Sequence, residues 1–274
     1  MKAGRNHRAK PDLAAELKLA RKAALAAGAI LRSYWNDGTF RVGSKGRDNP
    51  VTSADMEADS AIKKILRDGV PGYGWLSEET ADDHARLGAR RVWIVDPLDG
   101  TKEFINRIPE FCVAIALAEE GAPVLGVTYN PIRRQLFWTA RGLGCYLGTR
   151  RVRVTRTRTL ARATVLASRS EVARGEWKVF EGVMGVAATG SVAYKLAMVA
   201  AGKADATLTR SPKSEWDIAS GAALITAAGG EMTDIEGNEL RFNQSSVRRH
   251  GLIGSNGFLH DALRKLAYRE GLID

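Results

Sequence analysis

Two carboxylates separated by a Pro-Leu pair and followed at once by Gly-Thr, in Asp96-Pro97-Leu98-Asp99-Gly100-Thr101, are the residues of this chain best suited to chemistry. They follow the apolar run Trp93-Ile94-Val95, the pattern of a short buried strand. Pro97 has a fixed φ and no N–H, so the strand is expected to end near Asp96. Gly100 permits a sharp turn and a close approach of backbone to ligand. Two carboxylates would then leave a strand end beside N–H groups freed by a turn, an arrangement that suits hard cations and phosphate oxygens.

Three more acids stand where an element is expected to begin or end: Asp55, Glu78 and Asp217. Each alone has an ordinary structural reading. Asp55 and Asp217 suit the first turn of a helix, where a negative charge complements the dipole, and Glu78 suits a loop. If all five converge on a cleft they repel one another unless cations neutralise them, so convergence implies a metal. Oxygen-only ligands select Mg2+, with Mn2+ as a substitute, over Zn2+. His7, His84, His250 and His260 show no metal spacing and read as surface or core residues. No cysteine or serine nucleophile motif is present.

The elements that must position these acids can be read from apolar spacing. Residues 12–35 form a helix through Leu13, Leu17, Ala20, Ala24, Ala27 and Leu31, with Asp12 as N-cap. Gly38–Ser44 reads as a strand and 45–50 as a loop. A second helix opens at Val51-Thr52-Ser53-Ala54-Asp55, capped by Thr52 or Ser53. Trp75-Leu76-Ser77 is a short strand ending in Glu78, and 80–90 is a polar loop. Strands at 111–119, 123–130, 135–140, 145–147 and 152–155, with turns at 120–122 and 131–134, make an α+β half with an antiparallel sheet. From about residue 156 strands at 163–168, 186–189, 204–209, 231–234 and 250–255 alternate with helices at 175–182, 191–201, 216–228 and 258–269, which suggests βα units in a second lobe. Gly229-Gly230 ends the third of those helices.

The 274 residues suffice for one large domain or two lobes sharing a core, and 45% hydrophobic with 26% charged residues is ordinary for a globular protein. No apolar run approaches the roughly 20 residues that span a bilayer. The basic start, Met1–Lys10, leads into an amphipathic segment and not a signal core, so the chain reads as cytoplasmic. Cys112 and Cys145 lie in apolar runs and read as buried reduced thiols. The net charge of +10 comes from scattered arginines and clusters at 1–10, 150–158 and 248–249. No nucleic-acid-binding signature accompanies it, so a solvated basic surface that steers a polyanionic small molecule is preferred to nucleic-acid binding.

Four motifs in order carry a resemblance over residues 50–230. Pro50-Val51-Thr52-Ser53-Ala54-Asp55, Leu76-Ser77-Glu78-Glu79, the Asp96–Thr101 motif and Trp216-Asp217-Ile218-Ala219-Ser220-Gly221 resemble the inositol monophosphatase superfamily. Its members are Mg2+-dependent, lithium-sensitive phosphatases of sugars and nucleotides. The resemblance implies an α/β (α+β) fold layered αβαβα. An antiparallel-sheet N-terminal lobe (12–155) carrying the metal motifs would follow a disordered basic tail (1–11). A smaller α/β C-terminal lobe (156–274) would carry Trp216-Asp217 and substrate contacts. Carried over by position, Glu78, Asp96, Asp99, Asp217 and the Leu98 carbonyl would hold two or three Mg2+ ions. Asp55 and Thr101 would orient and deprotonate the attacking water, with Glu78 also in the catalytic set. Gly100 and Thr101 N–H groups would hold the phosphate, and a homodimer is implied by relatives.

The run Asp99-Gly100-Thr101-Lys102-Glu103-Phe104 is similar to CysQ-type 3′(2′),5′-bisphosphate nucleotidases, as are Ser168-Arg169-Ser170 and Gly190-Ser191-Val192-Ala193-Tyr194-Lys195. A bisphosphate needs cations or N–H groups for the phosphate that stays. Gly190 and Ser191 at a helix start, with Arg169 and Lys195, could supply them, against the ordinary readings of a loop arginine and a surface lysine. Lys102, Ser168, Lys213 and Asp217 complete the expected substrate contacts. The segment Arg210-Ser211-Pro212-Lys213-Ser214-Glu215 departs from both subfamily patterns and should meet the leaving group. The expected activity is hydrolysis of the 3′-phosphate of adenosine 3′,5′-bisphosphate. The alternatives are an inositol-phosphate or other sugar-phosphate phosphatase, and, from another class, a non-catalytic binder of phosphorylated ligands or nucleic acid.

Overall fold

A computed structural model describes residues 12–44, 50–209 and 211–269. The expected basic tail (1–11), the loop at 45–49, His7, Arg210 and the last five residues of the expected C-terminal lobe lie outside the described residues. The chain order is α1 (Ala14–Asp37), β1 (Val42–Ser44), β2 (Pro50–Thr52), α2 (Ser53–Gly69), β3 (Gly74–Ser77), β4 (Arg91–Asp99), α3 (Thr101–Ile105), β5 (Cys112–Glu119), β6 (Ala122–Asn130), β7 (Gln135–Ala140), β8 (Gly144–Leu147) and β9 (Arg150–Val152). It continues with β10 (Thr164–Ser168), α4 (Arg169–Ala173), β11 (Gly185–Thr189), α5 (Val192–Ala200), β12 (Ala206–Thr209), β13 (Lys213–Ser214), α6 (Glu215–Ala227), β14 (Glu231–Asp234), β15 (Arg248–Arg249), β16 (Leu252–Ser255) and α7 (His260–Arg269).

β3 to β9 form a seven-stranded sheet in chain order, antiparallel except for the parallel pair β3–β4. Side chains alternate across a strand. On β4, Trp93 and Val95 pack toward α1 and α2, while Val92 and Ile94 pack toward α5 and α6. The alanine-rich inner face of α1 is buried there, as its spacing predicts. Beyond α5 and α6 lies a five-stranded sheet in the order β11-β10-β12-β16-β14, whose far side packs on α7 through Leu259, Leu263 and Leu266. The layers are helices, sheet, helices, sheet, helix, the expected αβαβα order. α6 fits closely because β6 carries Gly126, where any Cβ would come within 2.5 Å of the Ser220 carbonyl oxygen. Among the described residues no helix is long and apolar enough to cross a membrane.

Several expectations are corrected. β4 does not stop at Asp96 but runs to Asp99, because Pro97 sits in a bulge: Asp96 faces Ala114 and Asp99 faces Cys112, so one residue of β4 is extra. The strand expected over Gly38–Ser44 shrinks to β1. The helix expected at 175–182 is absent; α4 ends at Ala173 and a single 3-10 turn at Lys178–Phe180 follows, bounded by Gly175 and Gly182 at φ 77° and 78°. α1 starts at Ala14, and Asp12 still accepts the Ala14 N–H at 3.0 Å. The five-stranded sheet is mixed, since β10, β11 and β12 are parallel while β16 runs antiparallel to both of its neighbours, β12 and β14.

Candidate active site

The bulge in β4 brings Asp96 and Asp99 to the C-terminal end of that strand, and α6 brings Asp217 opposite them. One carboxylate oxygen of each lies within 4.8 Å of the others. Burial pushes Asp96 well above the usual carboxylate range, and the charges of Glu78, Asp99 and Asp217 push it further. Burial likewise raises Asp99, against hydrogen bonds from Ser191 and Ala193, and raises Asp217 to about 8 with help from Asp99 and Glu78. Glu78 follows β3, where its N–H bonds the Val95 carbonyl at 3.2 Å, so the parallel pairing of β3 with β4 sets it beside Asp96.

Each aspartate has one oxygen pinned by a backbone N–H. Asp96 Oδ1 accepts from Leu98 (2.9 Å), Asp99 Oδ2 from Ala193 (2.6 Å), Asp217 Oδ2 from Ser214 (2.8 Å) and Asp55 Oδ2 from Thr52 (2.8 Å). Three of these donors are at helix starts: Asp55 and Asp217 are the N3 residues of capping boxes on α2 and α6, and Asp99 meets the first turn of α5 from another strand. A carboxylate fixed through one oxygen presents the other in a defined direction. Asp55, only 1% exposed, uses that second oxygen to accept from Thr101 Oγ1 at 3.2 Å, a hydroxyl that also lies 3.2 Å from the Leu98 carbonyl. Gly100, at φ 100°, makes the turn that brings Thr101 there.

These groups line a cleft of about 670 Å³. One wall is Glu78, Asp96, Leu98, Asp99, Gly100, Thr101, Lys102 and Glu103; the other includes Ser168, Ser170, Thr189, Gly190, Ser191, Lys195, Lys213, Trp216, Asp217 and Arg248. Of the residues expected from sequence, the cleft lining leaves out Asp55, which reaches it through Thr101, and Arg169. Two of the expected donors to a second phosphate, Arg169 through Nη2 and the Gly190 N–H, already have a partner in Glu110. Glu110 Oε2 accepts from Arg169 Nη2 at 2.5 Å and from the Gly190 N–H at 2.8 Å. Ser191 caps α5 by accepting from the Tyr194 N–H and donates its own proton to Asp99 Oδ2 at 2.6 Å. Lys195 is no surface lysine: it is 2% exposed, and burial together with Lys213 brings its pKa down to about 8. Cys112, with Sγ 3.4 Å from Ser191 Oγ, is held in its thiol form by burial and by Asp99.

Thr189, Arg248 and Glu110 were not among the site residues expected from sequence, and Glu103 and Ser170 entered there only as parts of motifs. Glu110 follows a proline and immediately precedes the Phe111–Glu119 apolar run, so the element-terminus criterion that singled out Glu78 would have found it. The donor chemistry fits magnesium. Burial and mutual repulsion make three ionised carboxylates unfavourable here, a divalent cation on their unpinned oxygens reverses both effects, and all-oxygen donors suit Mg2+.

Comparison with known proteins agrees with this chemistry. The model of the inositol monophosphatase family matches residues 12–271. The chain is 36% identical over 254 residues to an inositol-1-monophosphatase of Caulobacter vibrioides, covering 89% of this chain and 96% of the relative. It is 36% identical over 220 residues to the 3′(2′),5′-bisphosphate nucleotidase CysQ of Salmonella typhimurium, covering 79% of this chain and 89% of the relative. The crystal structure of the extragenic suppressor protein SuhB from Bartonella henselae superposes with a TM-score of 0.81 at 31% identity, covering 92% of this chain and 98% of that one. With its family model spanning nearly the whole chain and its acids gathered in one cleft, the protein belongs to the inositol monophosphatase family, a family of metal-dependent phosphatases.

Proposed function

We propose that the chain hydrolyses the 3′-phosphate of a nucleotide bisphosphate of the adenosine 3′,5′-bisphosphate type. The observation that supports the reaction is the facing of two devices: the Asp96, Asp99 and Asp217 cluster, and the Thr101 hydroxyl backed by buried Asp55. Glu78, Asp96, Asp99, Asp217 and the Leu98 carbonyl would hold two or three Mg2+ ions. Bound Mg2+ lowers the pKa of a water and neutralises phosphoryl oxygens. The chain's own residues do the rest. Thr101 donates to Asp55, so its oxygen is free to accept a proton from the attacking water while its own passes to Asp55 Oδ1. Thr52, through its N–H and its hydroxyl at 2.5 Å, holds Asp55 ready for that transfer.

The substrate assignment draws on charge. Beyond the metal-facing acids, the cleft carries Lys102, Lys195, Lys213 and Arg248 against Glu103 alone. That surplus favours a substrate with an anion besides the phosphate being cleaved, with Lys195 and Lys213 near it and Ser168 and Gly190 lining the wall. An inositol-phosphate or other sugar-phosphate substrate is the second reading. It is favoured by Glu110, which takes up Arg169 and the Gly190 N–H, and by Glu103, Ser168, Ser170 and Thr189, which suit the hydroxyls of a polyol. A kcat/KM panel of adenosine 3′,5′-bisphosphate, inositol 1-phosphate and fructose 1,6-bisphosphate with Mg2+ decides. A preference for the nucleotide is expected; a preference for inositol phosphate selects the second reading, and equal turnover in excess chelator removes both.

A further inference from the structure

Glu110 belongs to the N-terminal lobe, in the segment between α3 and β5, and its side chain is only 16% exposed. Its carboxylate reaches across the cleft mouth to two segments of the other lobe, the start of α4 through Arg169 and the entry to α5 through the Gly190 N–H. The next residue, Ser191, has φ 59°, a left-handed conformation rarely adopted by a residue with a Cβ. In that conformation its Oγ donates to Asp99 Oδ2 while the Ala193 N–H donates to the same oxygen, both at 2.6 Å. Strained backbone persists where neighbours over-determine it. Here the restraints sit on both sides: Glu110 grips the N–H of Gly190, in the peptide one residue earlier, and the N-cap bond to Tyr194 grips the turn after it. Glu103 packs against Gly190 so closely that a Cβ there would lie 2.3 Å from its Cγ, so this side of the turn is filled and the position admits only glycine.

We propose that Glu110 is a positioning residue for the metal site. By holding Gly190 and Arg169 it fixes the Ser191 turn, and the Ser191 turn fixes which way the unpinned oxygen of Asp99 points. Ser191 is one step removed from Asp99, a place from which a partner typically changes affinity by about 10–100-fold, and Glu110 acts through it. The inference rests on Asp99 being a metal ligand, and the test separates the two claims.

The test is calorimetric Mg2+ titration of the full chain without substrate, for wild type, Asp99→Asn, Glu110→Gln, Glu110→Asp and Ser191→Gly. Glutamine keeps the size of Glu110 but offers its two donors, which share Oε2, a neutral carbonyl oxygen in place of a charged carboxylate one. Glycine readily adopts the Ser191 backbone conformation and removes the side chain that bonds Asp99 and caps Tyr194. The expected result is near-complete loss of binding for Asp99→Asn and about tenfold weaker binding for Glu110→Gln and for Ser191→Gly. Partial recovery is expected in Glu110→Asp, and the Glu110→Gln/Ser191→Gly pair should lose less than the two single losses combined, since both act on one oxygen. Melting of the metal-free variants near the wild-type midpoint separates misplacement from unfolding. Wild-type Mg2+ affinity in Glu110→Gln, with binding lost in Asp99→Asn, overturns the positioning role alone. Wild-type affinity in Asp99→Asn overturns the metal-site reading and this inference with it. A rise in kcat/KM for a bisphosphate over a monophosphate in Glu110→Gln, at unchanged Mg2+ affinity, also overturns it, because Glu110 would then be guarding an anion site.

Discussion

The wall of the cleft built by the seven-stranded sheet delivers its acids from strand ends, whereas the facing wall delivers helix starts. Asp96 and Asp99 leave β4 at a bulge, and Glu78 leaves β3 beside them, all three held by ladder hydrogen bonds of the seven-stranded sheet. Asp217 and the Ala193 N–H come from the first turns of α6 and α5, whose positions relative to β4 depend on side chains that cross between lobes. Those crossings combine the apolar packing of α5 and α6 on the seven-stranded sheet with polar pairs that include Thr128 with Ser220 and Tyr194 with Gln135. Asp99 meets Ser191 and Ala193, Glu110 meets Arg169 and Gly190, and Arg86 donates to the Asn243 side chain and the Gln244 carbonyl. Glu215, fully buried at the start of α6, then accepts from the N–H groups of Asn243 and Gln244 and from Arg249. Strand-end acids should therefore matter for chemistry with little effect on the fold. The crossing side chains should matter for how the second wall is placed.

The largest effect on that contrast is expected at the strand end. Asp96→Asn removes a charge but keeps an acceptor for the Leu98 N–H. Losing several kcal/mol of metal-borne charge stabilisation should cut Mg2+-dependent phosphate release about a thousandfold, with far-UV dichroism unchanged. Activity within a few-fold of wild type would break the assignment of β4 as the chemical wall. Next comes Thr101→Val, which is isosteric and cannot relay a proton to Asp55. A drop in kcat of about a hundredfold or more at similar KM is expected, with Thr101→Ser restoring most of it. Equal activity of the valine and serine variants would show that the hydroxyl moves no proton.

The same contrast decides what could be read from sequence. Strand-end acids were legible because they interrupt apolar runs: Trp93-Ile94-Val95 before Asp96 and Trp75-Leu76-Ser77 before Glu78. Helix-start acids were legible because a cap three residues upstream marks them, as Thr52 marks Asp55. The bulge at Pro97 was not, since a proline at a strand end and one inside a bulge leave the same trace. The segment 175–182 carries Trp177 and Phe180 at helical spacing, but Trp177 is tied by its indole N–H to Glu171, and two left-handed glycines leave room for only a single turn. Glu110 and Arg86 find their partners 59 to 158 residues away, and no local periodicity records such a pairing.

A smaller effect, on stability and not on chemistry, is expected from Glu215→Ala. It strips two backbone N–H groups and Arg249 of a fully buried acceptor. Breaking a buried charged network costs about 3–5 kcal/mol, which for a chain of this size lowers the melting midpoint by roughly 6–15 °C. Mg2+ affinity should weaken as well, since Asp217 lies two residues on. A midpoint unchanged from wild type would show that α6 is held by its apolar face alone, through Ile218, Leu224 and Ile225.

The smallest effect distinguishes the lobes by pH. In the C-terminal lobe, His260 on α7 bonds Thr233 on β14 at 2.8 Å and Ser255 on β16 at 2.9 Å. Burial holds its pKa below the ordinary 6.5, with Glu231 and Asp261 opposing and Arg264 assisting. The unfolded chain therefore takes up this proton first, so the contribution is complete above about 6.5 and is lost as pH falls through the folded value. In the seven-stranded sheet Glu119 has the same sign but a lower window. Burial would raise it, but Arg141 at 2.7 Å and Arg91 at 2.7 Å bring it below the ordinary 4.5, so its contribution holds until pH falls beneath that value. Acidification should then loosen the lobes in order. Amide-exchange protection in α7, β14 and β16 should begin to fall as pH drops below about 6.5 while β4 to β7 stay protected, and His260→Gln should flatten that first step, a shift of about a degree or two in midpoint. Simultaneous loss of protection in both lobes would mean that the crossing side chains, and not the separate sheets, set the unit that unfolds.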